Sequence, residues 1–182
     1  MPALNETLVF GQTPAWVRKA FQNSTARRHK FDAGWELFKF TQFEAFQPDR
    51  AGNRAFGAPL SPWWCSMMPV PGTPIPGLDQ MIDEARNLGM SLLEYAREYL
   101  AVMYSWNSLA DTQMGLARLQ KVRLLKPVYG FYGKVQRQLN DRVPLKNPGR
   151  LGGRTFLAGG AMQIWIPNLT SEYAMPSGTI MA

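Results

Sequence analysis

An α+β fold is what this chain of 182 residues predicts. Helical periodicity is confined to a short N-terminal stretch and a central block. Strand-type alternation gathers mainly after that block, and the two do not alternate as the βαβ units of a parallel sheet require. No Gly-x-Gly-x-x-Gly follows a predicted strand and no Walker loop is present, so a doubly wound nucleotide-binding sheet is not expected.

Taken in order, Pro14 to Gln22 predicts a short helix, with Thr13 as its cap and Pro14 at the first helical position. Residues 34 to 43 interleave aromatic and polar side chains and predict a strand from Glu36 to Phe43. Residues 57 to 77 hold six prolines and three glycines around Trp63, Trp64, Met67 and Met68, which predicts ordered loop, since proline denies donors to a ladder. Two tryptophans there serve either as the wall of a cleft or as anchors of a long loop. From Leu78 to Leu88 and from Ser91 to Trp106 the spacing is helical. Gly89 ends the first helix, Ser91 and Glu94 form a capping box for the second, and Leu92, Tyr95, Tyr99, Val102, Met103 and Trp106 make one apolar stripe. Leu109 to Gln120 predicts a third, shorter helix.

Strand signals follow at Val122 to Leu125 and Val128 to Val135, the latter with glycines that suggest a bend or a close backbone approach. Arg137 to Arg154 reads as a long basic loop, of a length that is usually functional in a compact domain. Gly159 to Pro167 is a short apolar strand interrupted by one amide, Gln163. One domain spanning residues 1–182 is expected, long enough to bury roughly 70% of its unfolded surface without staples.

Composition excludes several chemistries. One cysteine, Cys65, and one histidine, His29, cannot build a disulfide, a zinc ribbon or a two-histidine metal site, although a carboxylate-bound ion stays open. Met1 to Trp16 shows no basic head followed by an apolar run, so no cleavable signal is expected. No apolar stretch reaches the roughly 20 residues that span a bilayer. A soluble protein with a cytoplasmic site of action and no membrane partner is therefore expected. His29 stands in Ala-Arg-Arg-His-Lys-Phe, in a predicted loop among three cations, where no acid is placed to orient it for catalysis.

The net charge of +7 is local. Residues 118–154 carry ten basic residues against Asp141 alone, a net +9, while the remainder is net −2. Such a block suits a polyanion, most simply nucleic acid, or else forms a solvated basic loop.

Three short motifs remain: Leu37-Phe38-Lys39-Phe40 on the aromatic strand, Ser61 opening Ser-Pro-Trp-Trp, and Gln163-Ile-Trp-Ile-Pro in the last apolar strand. Their order over residues 36–170 resembles the ADP-ribosyltransferase-like superfamily. That pattern has a first strand with Arg or His, a second opening on a serine motif, and a third in which glutamate precedes an aliphatic run and proline. Here lysine replaces the first residue, glutamine replaces the glutamate, and Ala161 replaces the polar residue two positions earlier.

The resemblance implies split antiparallel sheets with an N-terminal and a central helical segment, and NAD as cosubstrate in a cleft between the sheets. It implies a toxin-type enzyme of the glycosyltransferase class that releases nicotinamide and passes ADP-ribose to a macromolecule. Gln163 would hold the ribose as charge develops, Ser61 would hydrogen-bond around it, and Lys39 would contact phosphate or ribose. Phe38, Trp63 and Trp64 would stack on or wall the nicotinamide pocket. The segment before the third motif is where this superfamily meets its target. Arg137, Arg142, Lys146, Arg150 and Arg154 lie there, which favours RNA or another single-stranded nucleic acid as acceptor. Because an amide cannot act as a general base, an ordered water is a competing acceptor, which would make the protein an NAD glycohydrolase. A free toxin of this kind would need a cognate inhibitor protein in its producer. From another class, a non-enzymatic nucleic-acid-binding or assembly protein would use the basic stretch alone.

Overall fold

A computed structural model describes residues 2–41, 60–101, 118–139 and 156–181. Near the N-terminus, helix α1 covers Ala15–Lys19, between single 3-10 turns at Phe10–Gln12 and Gln22–Ser24. Pro14 is its N-cap, one residue later than the sequence suggested, because the Thr13 hydroxyl turns back to donate to the Phe10 carbonyl. Strands β1 (Arg27–Phe31), β2 (Glu36–Thr41) and β3 (Trp63–Ser66) follow, then helices α2 (Leu78–Asn87) and α3 (Leu92–Tyr99). Strands β4 (Arg118–Leu124), β5 (Val128–Lys134), β6 (Gln138–Leu139), β7 (Phe156–Leu157), β8 (Met162–Trp165) and β9 (Ala174–Met181) complete the described elements.

The protein is α+β, with seven strands in one antiparallel sheet in the order β1-β5-β8-β3-β2-β4-β9, and with β6 and β7 as a separate pair. The sheet changes partners in the middle of β3. Trp63 and Trp64 pair with Trp165 and Ile164 of β8, whereas Cys65 and Ser66 pair with Phe38 and Leu37 of β2. Four residues thus join two half-sheets. A single buried cluster draws Phe31, Val128, Tyr132 and Ile164 from one half and Leu37, Val122, Leu124 and Ala174 from the other. The halves therefore close on each other across that inner face, with Trp64 of β3 in the same cluster.

The opposite, outer face is covered by helices. Val17 of α1 and Phe21 pack on Phe131 and Trp165, while Met81 and Ala85 of α2 and Tyr95 and Ala96 of α3 pack on Phe38, Cys65 and Leu119. Gly77 opens α2, where its N–H donates to Gln80 Oε1 at 3.0 Å. Ser91 and Glu94 form the expected capping box on α3: Glu94 N–H donates to Ser91 Oγ at 3.2 Å, and Ser91 N–H donates to Glu94 Oε2 at 2.7 Å. The Ser91 N–H and the Ser91 hydroxyl, which donates to Glu94 Oε2 at 2.8 Å, hold the Glu94 carboxyl below its ordinary range. Gly89 has φ +71°, the left-handed turn that ends α2 as its glycine predicted.

Four expectations need correction. β1 is a strand through His29 where a loop was expected, because its cations sit on an edge strand open to water. The proline-rich stretch contains β3, whose four residues fall between the prolines and so keep their donors. Arg118 to Gln120 belong to β4 and not to a third helix; the rest of that predicted helix lies outside the described residues. α3 ends at Tyr99, followed by Ala101 at φ +49°, and Val102, Met103 and Trp106 lie outside the described residues. Of the described strands, three precede the central helices and six follow them.

Candidate functional site

The strands that carry the three motifs are neighbours, in the order β8-β3-β2. Their side chains nevertheless do not converge. Residues directly opposite on paired strands share a face and successive residues alternate. Leu37 is opposite Ser66, so Lys39 stands on the same face as Ser66 and Trp64; Ile164 is opposite Trp64, so Gln163 stands on the other face. The Lys39 ammonium is 5.9 Å from the centre of the Trp64 ring, as that parity requires. Burial lowers its pKa by penalising the charged form. Lys39 is thus an inner-face residue and Gln163 an outer-face residue.

Ser61 is committed locally. Its Oγ accepts from the Trp63 N–H at 3.3 Å and lies 3.5 Å from the Trp63 carbonyl, turning the chain into β3. In ladder register it falls about four residues, some 13 Å, from Gln163, beyond hydrogen-bond reach. Phe38 and Trp64 are completely buried, so neither presents a face for stacking on a ligand; they anchor the two core clusters instead. Lys39, Ser61 and Gln163 therefore do not form one triad, and two of the three expected aromatic walls are core.

Gln163 and Trp63 are brought together. Both lie on the outer face, with Trp165 between them as Trp63's direct partner, and the Trp63 and Trp165 rings are 6.4 Å apart. Trp63 is half-buried and also meets Phe21 at 5.7 Å and Trp16 at 6.5 Å. The two ends of this face have different covers. Phe131 of β5 and Trp165 of β8 pack with Val17 and Phe21 below α1, whereas Val135 and Ala161 pack with Tyr95 of α3. Gly133 and Gln163, paired with each other, lie between. A Cβ on Gly133 would stand 2.8 Å from the Phe21 ring and 2.8 Å from the Thr25 carbonyl, so only glycine lets that segment come down beside Gln163.

The Gln163 side chain is half-buried and has no hydrogen-bond partner among the described residues. The Trp165 indole N–H, two residues along the same face, is buried and likewise unpartnered among them. Cys65 shares this face next to Gln163, but burial pushes its thiol up to about 12, which leaves it un-ionised and unreactive. The Tyr95 hydroxyl donates to Glu84 Oε2 at 2.8 Å, and burial followed by that bond raises its pKa. Trp165, Gly133 and Phe21 were missed by sequence reasoning, although the alternation of Gln163 with Trp165 was itself a signal that both face one way.

Of the basic residues expected to meet a target, Arg137 is exposed and its guanidinium lies 3.9 Å from the centre of the Phe156 ring. Arg142, Lys146, Arg150 and Arg154 lie outside the described residues. His29 is on β1 beside Phe31 and Tyr132; burial lowers its pKa, partly opposed by Asp32. No three His, Cys, Asp or Glu residues gather as a metal site among the described residues. No described helix is long and apolar enough to cross a membrane.

No family model matches the chain, and no curated protein matches it. Among solved structures, a chain of the complex of Tne2 with Tni2 superposes with a TM-score of 0.47 at 11% identity, covering 86% of this chain and 92% of that one. A chain of the complex of Rhs1-CT with its cognate immunity protein RhsI1 superposes with a TM-score of 0.37 at 14% identity, covering 86% of this chain and 80% of that one.

Proposed function

We propose that the protein is a toxin-type enzyme of the ADP-ribosyltransferase-like kind, which cleaves NAD at its nicotinamide–ribose bond and passes ADP-ribose to a nucleic acid or to water. The observation that carries the reading is the Gln163 amide. It is half-buried in a strand that continues into Ile-Trp-Ile-Pro, it has no partner among the described residues, and it lies between the two helical covers of the outer face. Its carbonyl and amide are thus uncommitted within the described protein and can both pair with a ligand that reaches this face.

The chemistry asks little of the protein. The bond to nicotinamide breaks as positive charge builds on the ribose, and the cosubstrate supplies both the reactive bond and the leaving group. Gln163 accepts a hydrogen bond from a ribose hydroxyl through its carbonyl and donates through its amide, which fixes the sugar while that charge grows. Trp63, half-buried on the same face, supplies an aromatic wall for the nicotinamide. No general base is required when the acceptor is already nucleophilic or is a positioned water. Arg137 and the basic segment after it favour a nucleic-acid acceptor over a protein. Lys39 and Ser61 have no part in this form of the proposal.

The test is nicotinamide release from NAD by the folded protein, alone and with total RNA, DNA or protein. Release is expected, with labelled ADP-ribose appearing in the RNA or DNA pool or free in solution. Gln163→Ala is expected to lower the rate by roughly 100-fold, the loss typical for one transition-state hydrogen-bonding group. Its thermal midpoint should stay within a few degrees. No release under any of these conditions would overturn the proposal. A salt-sensitive affinity for RNA that survives Gln163→Ala, without turnover, would favour a binding protein instead.

A further inference from the structure

Two exposed aromatic side chains, Trp16 and Phe156, stand at the ends of one basic surface. Trp16 is 60% exposed and Phe156 38%. On α1, Trp16 and Lys19 are three residues apart and share the exposed side of the helix, while Val17 is buried on the other. Lys19 and Gln136 border the same open depression between α1 and the end of β5, and the Gln136 N–H donates to the Ala20 carbonyl at 2.8 Å. The next residue, Arg137, holds its guanidinium 3.9 Å from the centre of the Phe156 ring. Trp16, Lys19, Gln136, Arg137 and Phe156 therefore run along one continuous surface.

The exposure of Phe156 follows from register. β6 and β7 pair Gln138 with Leu157 and Leu139 with Phe156. Leu157 packs into the cluster of Val135, Ala161 and Tyr95, so Phe156, the residue before it on the strand, faces away from that cluster. The pair is tied to the sheet where it leaves it: the Val135 N–H donates to the Ala161 carbonyl and the Gly160 N–H to the Val135 carbonyl, both at 2.9 Å. Charge gathers on the same side from two parts of the chain. Thr7 to Phe31 holds Arg18, Lys19, Arg27, Arg28 and Lys30 and no acid. The pairing of β1 with β5 and the bond from Gln136 to Ala20 set that stretch beside the basic block at 118–154. An acid does adjoin the surface: Glu98 of α3, whose Oε1 accepts from the Ala158 N–H at 3.2 Å.

Charge alone suits any polyanion, whereas the rings narrow the choice. Nucleotide bases stack on aromatic faces and on guanidinium planes, and the phosphates beside them pair with Lys and Arg. A duplex keeps its bases stacked inside and cannot offer them. We propose that the surface from Trp16 to Phe156 binds single-stranded nucleic acid, with bases on Trp16 and on the Arg137–Phe156 pair and phosphate on Lys19 and Arg137. It rests on the proposed function only for the strand's role as acceptor, since binding is measured without NAD.

The probes are fluorescein-labelled oligouridine and oligothymidylate of about 12 nucleotides, read by anisotropy against the full chain. Both are expected to bind, the tighter one marking RNA or DNA as the source, and a duplex of equal length is expected to bind more weakly. Trp16→Ala and Phe156→Ala should each weaken binding about tenfold without changing its salt slope. Arg137→Ala should weaken it and lower that slope by about 0.7. Trp16→Phe keeps an aromatic face and should retain the affinity while losing part of the indole quench that the strand produces. Met175→Ala, on β9 at the opposite edge of the sheet, should change nothing. Circular dichroism checks that each variant folds. Failure to bind either strand, equal binding of the duplex, displacement by polyglutamate at equal charge, or unaltered affinity in both Trp16→Ala and Phe156→Ala would each overturn the proposal. Binding of this kind by a protein that releases no nicotinamide would uphold the surface and sink the catalytic reading. Nicotinamide release by a protein that binds neither strand would do the reverse.

Discussion

Cys65 lies beside Gln163 on the same face of the sheet, yet it is 3% exposed and its thiol is raised to about 12 by burial. The unfolded chain gives up that proton near 9.0, the folded chain only near 12. Above pH 9 the unfolded state therefore binds fewer protons than the folded one, so this contribution to stability is whole below that pH and is lost as pH rises toward 12. Tyr95, raised by burial and by its bond to Glu84, acts in the same direction. Urea midpoints are expected to fall between pH 9 and 11, and Cys65→Ala is expected to flatten part of that fall, the remaining slope being that of Tyr95 less the opposing contribution of Lys39, whose pKa burial lowers. A variant with an unchanged slope would show that the thiol ionises equally in both states. The same alternation that buries Cys65 separates Lys39 from Gln163. The residue types and order of the motifs were legible in the sequence. Which face each residue takes depends on strand register, which is set by pairing across the sheet and not by the local string.

Ser91 and Glu94 were legible as a capping box from their spacing alone, and the hydrogen bonds that define it are present at the start of α3. Ser91→Ala removes the acceptor for the Glu94 N–H and is expected to cost about 1 kcal/mol, read as a lower urea midpoint at unchanged slope. Glu94→Gln keeps an oxygen for the Ser91 N–H and is expected to cost less; the reverse order would show that charge at the helix start, not capping, carries the effect. α2 and α3 could be read because each buries one stripe, and β2, β5 and β8 because both of their faces are packed and their sequences are rich in aromatic and aliphatic residues. β1 and β9 could not, for opposite reasons. β1, Arg-Arg-His-Lys-Phe, has too little apolar content to alternate, and β9 contains Pro176 and Gly178, which usually argue against a strand. Both are edges of the sheet, where proline, glycine and charge are tolerated because one side has no ladder to maintain.

At the scale of the whole molecule, Trp64 is the point on which the two half-sheets depend. It is fully buried, it pairs with Ile164 on one side, and the next residue of its strand pairs with Phe38 on the other. It belongs to the cluster drawn from both halves, and its indole N–H has no partner among the described residues. Two effects therefore oppose each other at this residue. The apolar body of the ring fills the space where the halves meet, and Trp64→Ala is expected to cost about 3–5 kcal/mol through lost burial and a cavity that cannot collapse. The unpartnered N–H costs about 1–3 kcal/mol in the folded state, and Trp64→Phe removes it while keeping most of the ring. Trp64→Phe is thus expected to cost less than half of what Trp64→Ala costs in urea unfolding. In the unaltered protein, indole fluorescence and far-ultraviolet circular dichroism should trace one transition, because the inner cluster is drawn from both halves. Equal losses for the two substitutions would show that the N–H is satisfied in solution. Two separate transitions would show that the halves fold independently of β3.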